Sequence, residues 1–88
     1  MPRSLIVASW PDMSGLQELV GKMPVFVVYR NPSDFPDQYV VRLFDLDRAT
    51  IMAMLDISLY QIRERLPAGL IRMNRSYEDD PSIVEVWI

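Results

Sequence analysis

The stretch that decides the fold is PVFVVYRNPSDFPDQYVVRLF, residues 24–44, which has the pattern of a strand, a turn and a second strand. Most residues in 25–29 and 39–44 are β-branched or aromatic, the types that fit a pleated, half-buried surface. Between them, Pro32 and Pro36 lack backbone N–H donors, and each disfavours a helical conformation for the residue before it. The stretch therefore predicts an antiparallel hairpin.

The register of this hairpin decides which side chains share a face, because side chains alternate along a strand. If the hairpin is symmetric about its turn, Arg42 lies near Phe26, where a cation–π contact is possible. This register predicts a largely apolar face opposite the helix at about 58–66, and large exposed apolar patches usually mark contacts. The predicted interaction face consists of Phe26, Val28, Val40, Arg42, Phe44 and Trp87.

Residues 47–66 allow two interpretations. Apolar residues at helical spacing are compatible with one long helix capped by Asp47. Alternatively, residues 50–55 form a third strand, and Ser58 begins a separate helix that ends near Leu66. Ser58 and Gln61 have the spacing of a capping box, so we favour the strand followed by the helix.

The N-terminal residues predict smaller elements. Residues 5–10 are compatible with a short edge strand or an ordered arm, and Asp12 or Ser14 can cap a short helix that ends near Gly21. We predict that residues 1–22 are an extension and that residues 23–88 are a single domain.

The predicted fold is α+β. An antiparallel three-stranded meander and a C-terminal strand at 83–88 form one sheet, with one helix at about 58–66 and a short N-terminal helix. The alternative is a ferredoxin-like βαββαβ order, with residues 5–10 as the first strand and a long helix at 47–66.

The composition limits the chemistry of the chain. Its 88 residues contain no cysteine and no histidine, which removes thiolate chemistry, the commonest general base and the commonest metal ligand. The net charge of −3 opposes a bulk nucleic-acid binder. Apolar runs are too short for a membrane span, and the N-terminal run is too short for a usual signal peptide. We expect a cytoplasmic protein without a cofactor.

Three pieces of the sequence together resemble a group of small bacterial proteins with no established activity. They are the turn NPSDFP at 31–36, the helix start at Ser58, and the C-terminal stretch DDPSIVEVW at 79–87. The resemblance covers residues 23–88 and supports a third strand at 50–55. It implies no catalytic residue.

Three kinds of ligand site have candidate residues in this sequence. Asp34 with Arg42 or Arg30 is a candidate for binding a small anion or for acid–base chemistry. Arginines interleaved with aromatics are candidates for stacking on single-stranded nucleic acid; they are Arg30, Arg42, Arg72 and Arg75 with Tyr29, Phe35 and Tyr77. Acidic groups are candidates for a hard cation, although they lack EF-hand spacing; they are Asp45, Asp47, Glu78, Asp79 and Asp80. We predict neither catalysis nor a metal site.

The remaining hypothesis is an interaction module. Either a protein partner or a second copy of the chain covers the apolar face, or the N-terminal segment covers it within the chain. The residues of that segment suited to the purpose are Leu5, Val7, Trp10, Leu16 and Leu19. We predict protein–protein interaction or self-association without catalysis.

Overall fold

The computed structural model of the chain describes residues 4–73 and 80–88. Within these ranges the fold is α+β, and its strands form one open, mixed sheet in the order β1-β4-β3-β2-β6-β5. The elements in chain order are β1 (Leu5–Ile6), α1 (Met13–Leu19), β2 (Pro24–Arg30), β3 (Tyr39–Asp45), β4 (Arg48–Asp56), α2 (Leu59–Arg65), β5 (Arg72–Met73) and β6 (Ile83–Trp87).

The predicted hairpin is present. Strands β2 and β3 pair antiparallel, from Arg30 opposite Tyr39 next to the turn to Pro24 opposite Asp45 at the far end. Its turn depends on Asn31 and Asp37, which adopt positive φ angles of 54° and 66°. Asparagine and aspartate tolerate this left-handed conformation better than most residues. The Asp37 N–H donates to Asn31 Oδ1 at 2.7 Å, and the Asn31 N–H donates to the Gln38 carbonyl at 2.8 Å. These bonds close the loop in one register.

The interpretation of residues 47–66 as a strand followed by a helix is confirmed. Strand β4 pairs antiparallel with β3, and α2 begins after Ser58, whose Oγ accepts a hydrogen bond from the Gln61 N–H at 3.3 Å. The Asp56 carboxylate in turn accepts from the Ser58 N–H at 2.9 Å. The ferredoxin-like alternative needs one long helix over these residues and is not the observed order.

The observed sheet has one more strand at each edge than the predicted four-stranded antiparallel sheet, and one of them, β1, lies within the edge-strand candidate at residues 5–10. Strand β1 pairs parallel with β4, with Leu5 opposite Met52 and Ile6 opposite Ala53. At the other edge, β5 pairs antiparallel with β6. Both added strands have two residues, too few to show a periodic pattern, so their pairing depends on the neighbouring strand rather than on their own sequence.

Both helices pack on one face of the sheet, which we call the helix face. Leu16 of α1 and Ile62 of α2 are fully buried in a single cluster with Phe26, Leu43 and other strand residues. The N-terminal segment therefore contributes to the main core, although the predicted boundary at residue 22 stays a prediction. No helix in 4–73 or 80–88 is long and apolar enough to cross a membrane.

Candidate functional site

The hairpin register differs by one residue from the symmetric register that we predicted. Arg42 lies opposite Val27, and Phe26 lies opposite Leu43. A shift of one residue moves a strand's side chains to the other face relative to its partner strand. The predicted interaction face therefore does not exist as one surface.

The structure divides the six predicted residues between the two faces of the sheet. Phe26 and Val28 are fully buried on the helix face, and Trp87, which is opposite Phe26, packs against the same cluster. Val40, Arg42 and Phe44 lie on the opposite face by the alternation of β3. Val40 is fully buried, so of these three only the half-buried Arg42 and Phe44 can take part in a contact surface.

Trp10 and Leu16 of the N-terminal segment pack on the helix face. The rings of Trp10 and Phe26 meet edge to face, with centroids 4.9 Å apart and planes at 75°. Leu16 is fully buried, whereas Leu5 and Leu19 are about half exposed. The N-terminal segment thus covers Phe26, as one of the two predicted alternatives requires. It does so on the face of the sheet that α2 also occupies.

The opposite face carries none of the described helices, and we call it the helix-free face. Its residues Val40 and Ala53 are fully buried, whereas Ile6 and Ile51 are 46% and 56% exposed. The pairing of the strands and their alternation assign to this face Ile6, Val25, Val27, Tyr29, Val40, Arg42, Phe44, Ala49, Ile51, Ala53, Leu55, Ile83 and Val86.

A shallow groove of about 380 Å³ crosses one end of the helix-free face, and Val27, Phe44, Leu46 and Val86 are among its lining residues. Leu46 occupies the two-residue turn between β3 and β4 with a φ of 59°, and its side chain is 48% exposed. Most of the groove lining is therefore apolar, including Leu46, and it also contains Asp47.

Arg42 lies at the middle of the helix-free face. Its guanidinium forms an ion pair with Asp34 and donates to Ser4 Oγ at 3.3 Å. It also lies over the Tyr29 ring, 5.8 Å from the centroid, in a cation–π geometry. The sequence analysis placed such a contact at Phe26 instead. The structure thus brings the predicted pair Asp34 and Arg42 together.

A polar cleft of about 430 Å³ lies beside this pair, and Asn31, Ser33 and Ser82 are among its other lining residues. Asp34 already neutralises Arg42, so an anion entering the cleft would have to compete with that carboxylate. The geometry can hold a small polar molecule, but it does not offer a free positive charge.

Of the residues predicted for nucleic-acid binding, the structure brings Arg42 and Tyr29 together, but two of the described arginines are already paired with carboxylates. Arg42 is paired with Asp34, and Arg72 Nη1 donates to Glu85 Oε2 at 3.3 Å. Arg30 is exposed at the end of β2. Arg75 and Tyr77 lie outside the described residues.

Two of the described acidic candidates, Asp45 and Asp80, have local structural roles. Asp80 accepts from the N–H and the hydroxyl of Ser82, and these bonds lower the pKa of its carboxyl. Glu78 and Asp79 lie outside the described residues. Over 4–73 and 80–88, no group of three or more histidine, cysteine, aspartate or glutamate side chains could hold a metal ion.

Asp45 closes the connection between α1 and β2. Its carboxylate accepts hydrogen bonds from the backbone N–H groups of Gly21, Lys22 and Met23 at 2.9–3.1 Å. Desolvation raises the pKa of Asp45, but these three bonds and the nearby Lys22 charge outweigh it, so that its pKa is lowered.

Glu85 forms a buried polar cluster that the sequence prediction missed. Its side chain is 5% exposed and accepts from Arg63 Nε at 3.0 and 3.2 Å, from Arg72, and from Trp87 Nε1 at 3.0 Å. Desolvation raises the pKa of Glu85, but the hydrogen bonds from Arg63 and Trp87 and the charge of Arg63 lower it by more. The pKa of Glu85 therefore lies below the ordinary value. A glutamate inside the apolar run IVEVW was the available signal.

Comparison of the chain with known protein families, with curated proteins and with solved structures finds no match. The resemblance to small bacterial proteins therefore stays a prediction, and the function has to be argued from the geometry.

Proposed function

We propose that the protein is a binding module without catalysis and that its helix-free face joins two copies of the chain. The observation that carries the proposal is Leu46, an apolar side chain held at the rim of the groove in an unfavourable backbone conformation. The composition of the face and its charge balance support the same conclusion.

Leu46 occupies a position that normally suits glycine. In a two-residue hairpin turn, a positive φ at the first central residue is typical of glycine or asparagine. A bulky L-residue in the left-handed region costs on the order of 1–2 kcal/mol. Leu46 adopts this conformation, is 48% exposed, and its N–H donates to the Met23 carbonyl at 2.7 Å. An apolar contact made by Leu46 in a complex would explain why leucine is present there.

The charge of the face favours contact with a like surface. Arg42 is its central charged residue, and Asp34 neutralises it within the same chain. The rest of the face is mainly aliphatic and aromatic, and its exposed members include Ile6 and Ile51. A two-fold axis brings the same patch of each copy together, and the neutralised Arg42 adds no charge repulsion there. The Asp47 carboxylate, which also lines the groove, would have to stay in solvent at the rim of the interface.

The size of the face predicts the strength of the dimer. Four neighbouring strands, spaced about 4.8 Å apart and about 20 Å long, give a footprint of roughly 400 Å² on each copy. A specific interface of standard size buries about 800 Å² on each partner. We therefore propose a weak, reversible dimer in which two sheets pack face to face.

Sedimentation equilibrium from about 10 μM to about 1 mM tests the proposal, because an interface below standard size is expected to be weak. We expect a concentration-dependent monomer–dimer equilibrium. Leu46→Asn should weaken the dimer about tenfold or more without destabilising the monomer, since asparagine accepts the left-handed conformation that strains leucine. A chain that stays monomeric at 1 mM would overturn the proposal.

Leu19→Asn is the matched control. Leu19 is 53% exposed at the end of α1, and that helix packs on the other face of the sheet. The substitution is chemically identical but removes no apolar area from the helix-free face. If both variants weaken the dimer equally, the helix-free face is not the interface.

Binding of a small anion at Asp34 and Arg42 is the second candidate function. The cleft beside the pair and the Tyr29 ring favour it, and the neutralised charge of Arg42 disfavours it. Phosphate titration followed by the Arg42 side-chain NMR signal distinguishes it from self-association, because that signal would shift at constant protein concentration.

A further inference from the structure

The Glu85 carboxylate is shared by two arginines that approach it from different elements. Arg63 of α2 donates through Nε and Nη2, and Arg72 of β5 donates through Nη1 to Oε2 at 3.3 Å. In this cluster the cations therefore outnumber the carboxylates. The other ion pairs in 4–73 and 80–88 each join one arginine to one carboxylate; they are Arg42 with Asp34 and Arg65 with Asp56.

The two guanidinium groups of this cluster lie side by side. Both contact the same oxygen, Glu85 Oε2, so one negative charge faces two positive charges. The two like charges repel each other, and a single carboxylate leaves one unit of positive charge uncompensated. Among the described residues, no second carboxylate forms an ion pair with Arg63 or Arg72. The cluster therefore attracts an anion, although the whole chain carries a net charge of −3.

Both arginines are accessible to a ligand from solvent. The side chains of Arg63 and Arg72 are 40% and 56% exposed, whereas that of Glu85 is 5% exposed. A guanidinium has five N–H donors, and the bonds to Glu85 use only part of them. Arg63 Nη1 and the Nε and Nη2 of Arg72 have no acceptor in the described part of the chain. The buried carboxylate thus holds two exposed guanidinium groups together while several of their donors stay unused.

We propose that Arg63 and Arg72 form a binding site for an oxyanion, that is, for a phosphate or carboxylate group of a small ligand. Guanidinium groups make charge-assisted hydrogen bonds to both kinds of group, often in pairs. An oxyanion has at least two oxygens, so each arginine can bind one of them while Glu85 keeps its own bonds. The site differs from the Asp34–Arg42 cleft because its positive charge exceeds its negative charge.

The exposure of the two arginines also predicts the strength of binding. Solvent and salt screen charges that are this exposed, so we expect weak binding that decreases with ionic strength. Phosphate should bind more tightly than acetate, because it carries more charge at neutral pH.

Two-dimensional ¹H–¹⁵N NMR of the full chain tests the proposal, with sodium phosphate as the probe and sodium chloride keeping the ionic strength constant. The Trp87 indole donates to Glu85 Oε1 at 3.0 Å and therefore reports on the cluster. We expect saturable shifts of this indole signal and of the Arg63 and Arg72 Nε–H signals, while the Trp10 indole stays unchanged. Sodium acetate distinguishes the two sources of the oxyanion. A response to phosphate alone would identify a phosphate group as the ligand, and a response to both would support the shared chemistry.

Arg72→Gln should weaken phosphate binding about tenfold, because it removes one guanidinium while Arg63 keeps its bonds to Glu85. Arg48→Gln is the matched control with the same change of charge, at an exposed arginine of β4. Equal weakening by both substitutions would overturn the proposal, since only the net charge would then matter. Unchanged Trp87, Arg63 and Arg72 signals at high millimolar phosphate would also overturn it, including the case in which only the Arg42 signal moves.

Discussion

Glu85 on β6 accepts hydrogen bonds from Arg63 on α2, and this pair joins a strand and a helix 22 residues apart in sequence. Glu85 is almost fully buried, whereas the Arg63 side chain is 40% exposed. Burial would make an unpaired carboxylate costly, so the contact holds α2 at a defined position against the sheet.

Glu85→Gln should lower the free energy of unfolding by about 1–2 kcal/mol. The amide keeps the shape but loses the charge-assisted bonds, and the exposure of Arg63 reduces the effect. Urea denaturation measures the change. Glu18→Gln, at an exposed position of α1, is the control and should be close to neutral. Equal stability of the two variants would contradict a stabilising role for the Glu85 cluster.

The same pair predicts how stability depends on pH. The pKa of Glu85 is below its ordinary value of 4.5 in the folded chain. The stability from this shift is therefore fully present above pH of about 4.5 and is lost as the pH falls through the folded pKa. The stability difference between the parent chain and Glu85→Gln should shrink between neutral pH and acid. A difference that stays constant with pH would show that the charge of Glu85 is not responsible.

Asp45→Asn should lower the melting temperature. Both carboxylate oxygens of Asp45 accept backbone N–H groups, so an amide nitrogen at either position would place a donor against a donor. Asp47→Asn, in the adjacent turn, is the control because it keeps the three bonds intact. The two melting temperatures, measured by circular dichroism, should differ clearly, and identical values would contradict the role assigned to Asp45.

Ser58→Ala should cost about 1 kcal/mol of stability, the usual contribution of an N-cap side chain. Ser58 Oγ accepts from the Gln61 N–H at the start of α2. Ser14→Ala is the control, because the structure assigns the cap of α1 to Asp12, which accepts from the Gly15 N–H at 2.9 Å. A larger loss for Ser14→Ala than for Ser58→Ala in urea denaturation would reverse this assignment.

The sequence predicted correctly those elements that depend on interactions between residues close together in the chain. The apolar run of β2, the prolines of the turn and the Ser58 cap each act over a few residues, and each gives the predicted element. A capping bond joins residues three apart, so its pattern is visible without the rest of the chain.

The candidate site could be predicted only in part. The pairing of Asp34 with Arg42 follows from their closeness in one hairpin, and the structure contains it. The Glu85 cluster with its two arginines could not be predicted, because it depends on elements distant in sequence.

The sequence by itself determined the hairpin, the third strand and the start of α2, since those depend on local conformational preferences and capping. Only the tertiary structure decided which face each side chain occupies. Asn31 and Asp37 close the turn so that Arg42 lies opposite Val27, and this single residue of register separates Phe26 from Phe44. Because strand pattern alone is compatible with either register, the helix-free face could be assigned only from the paired strands.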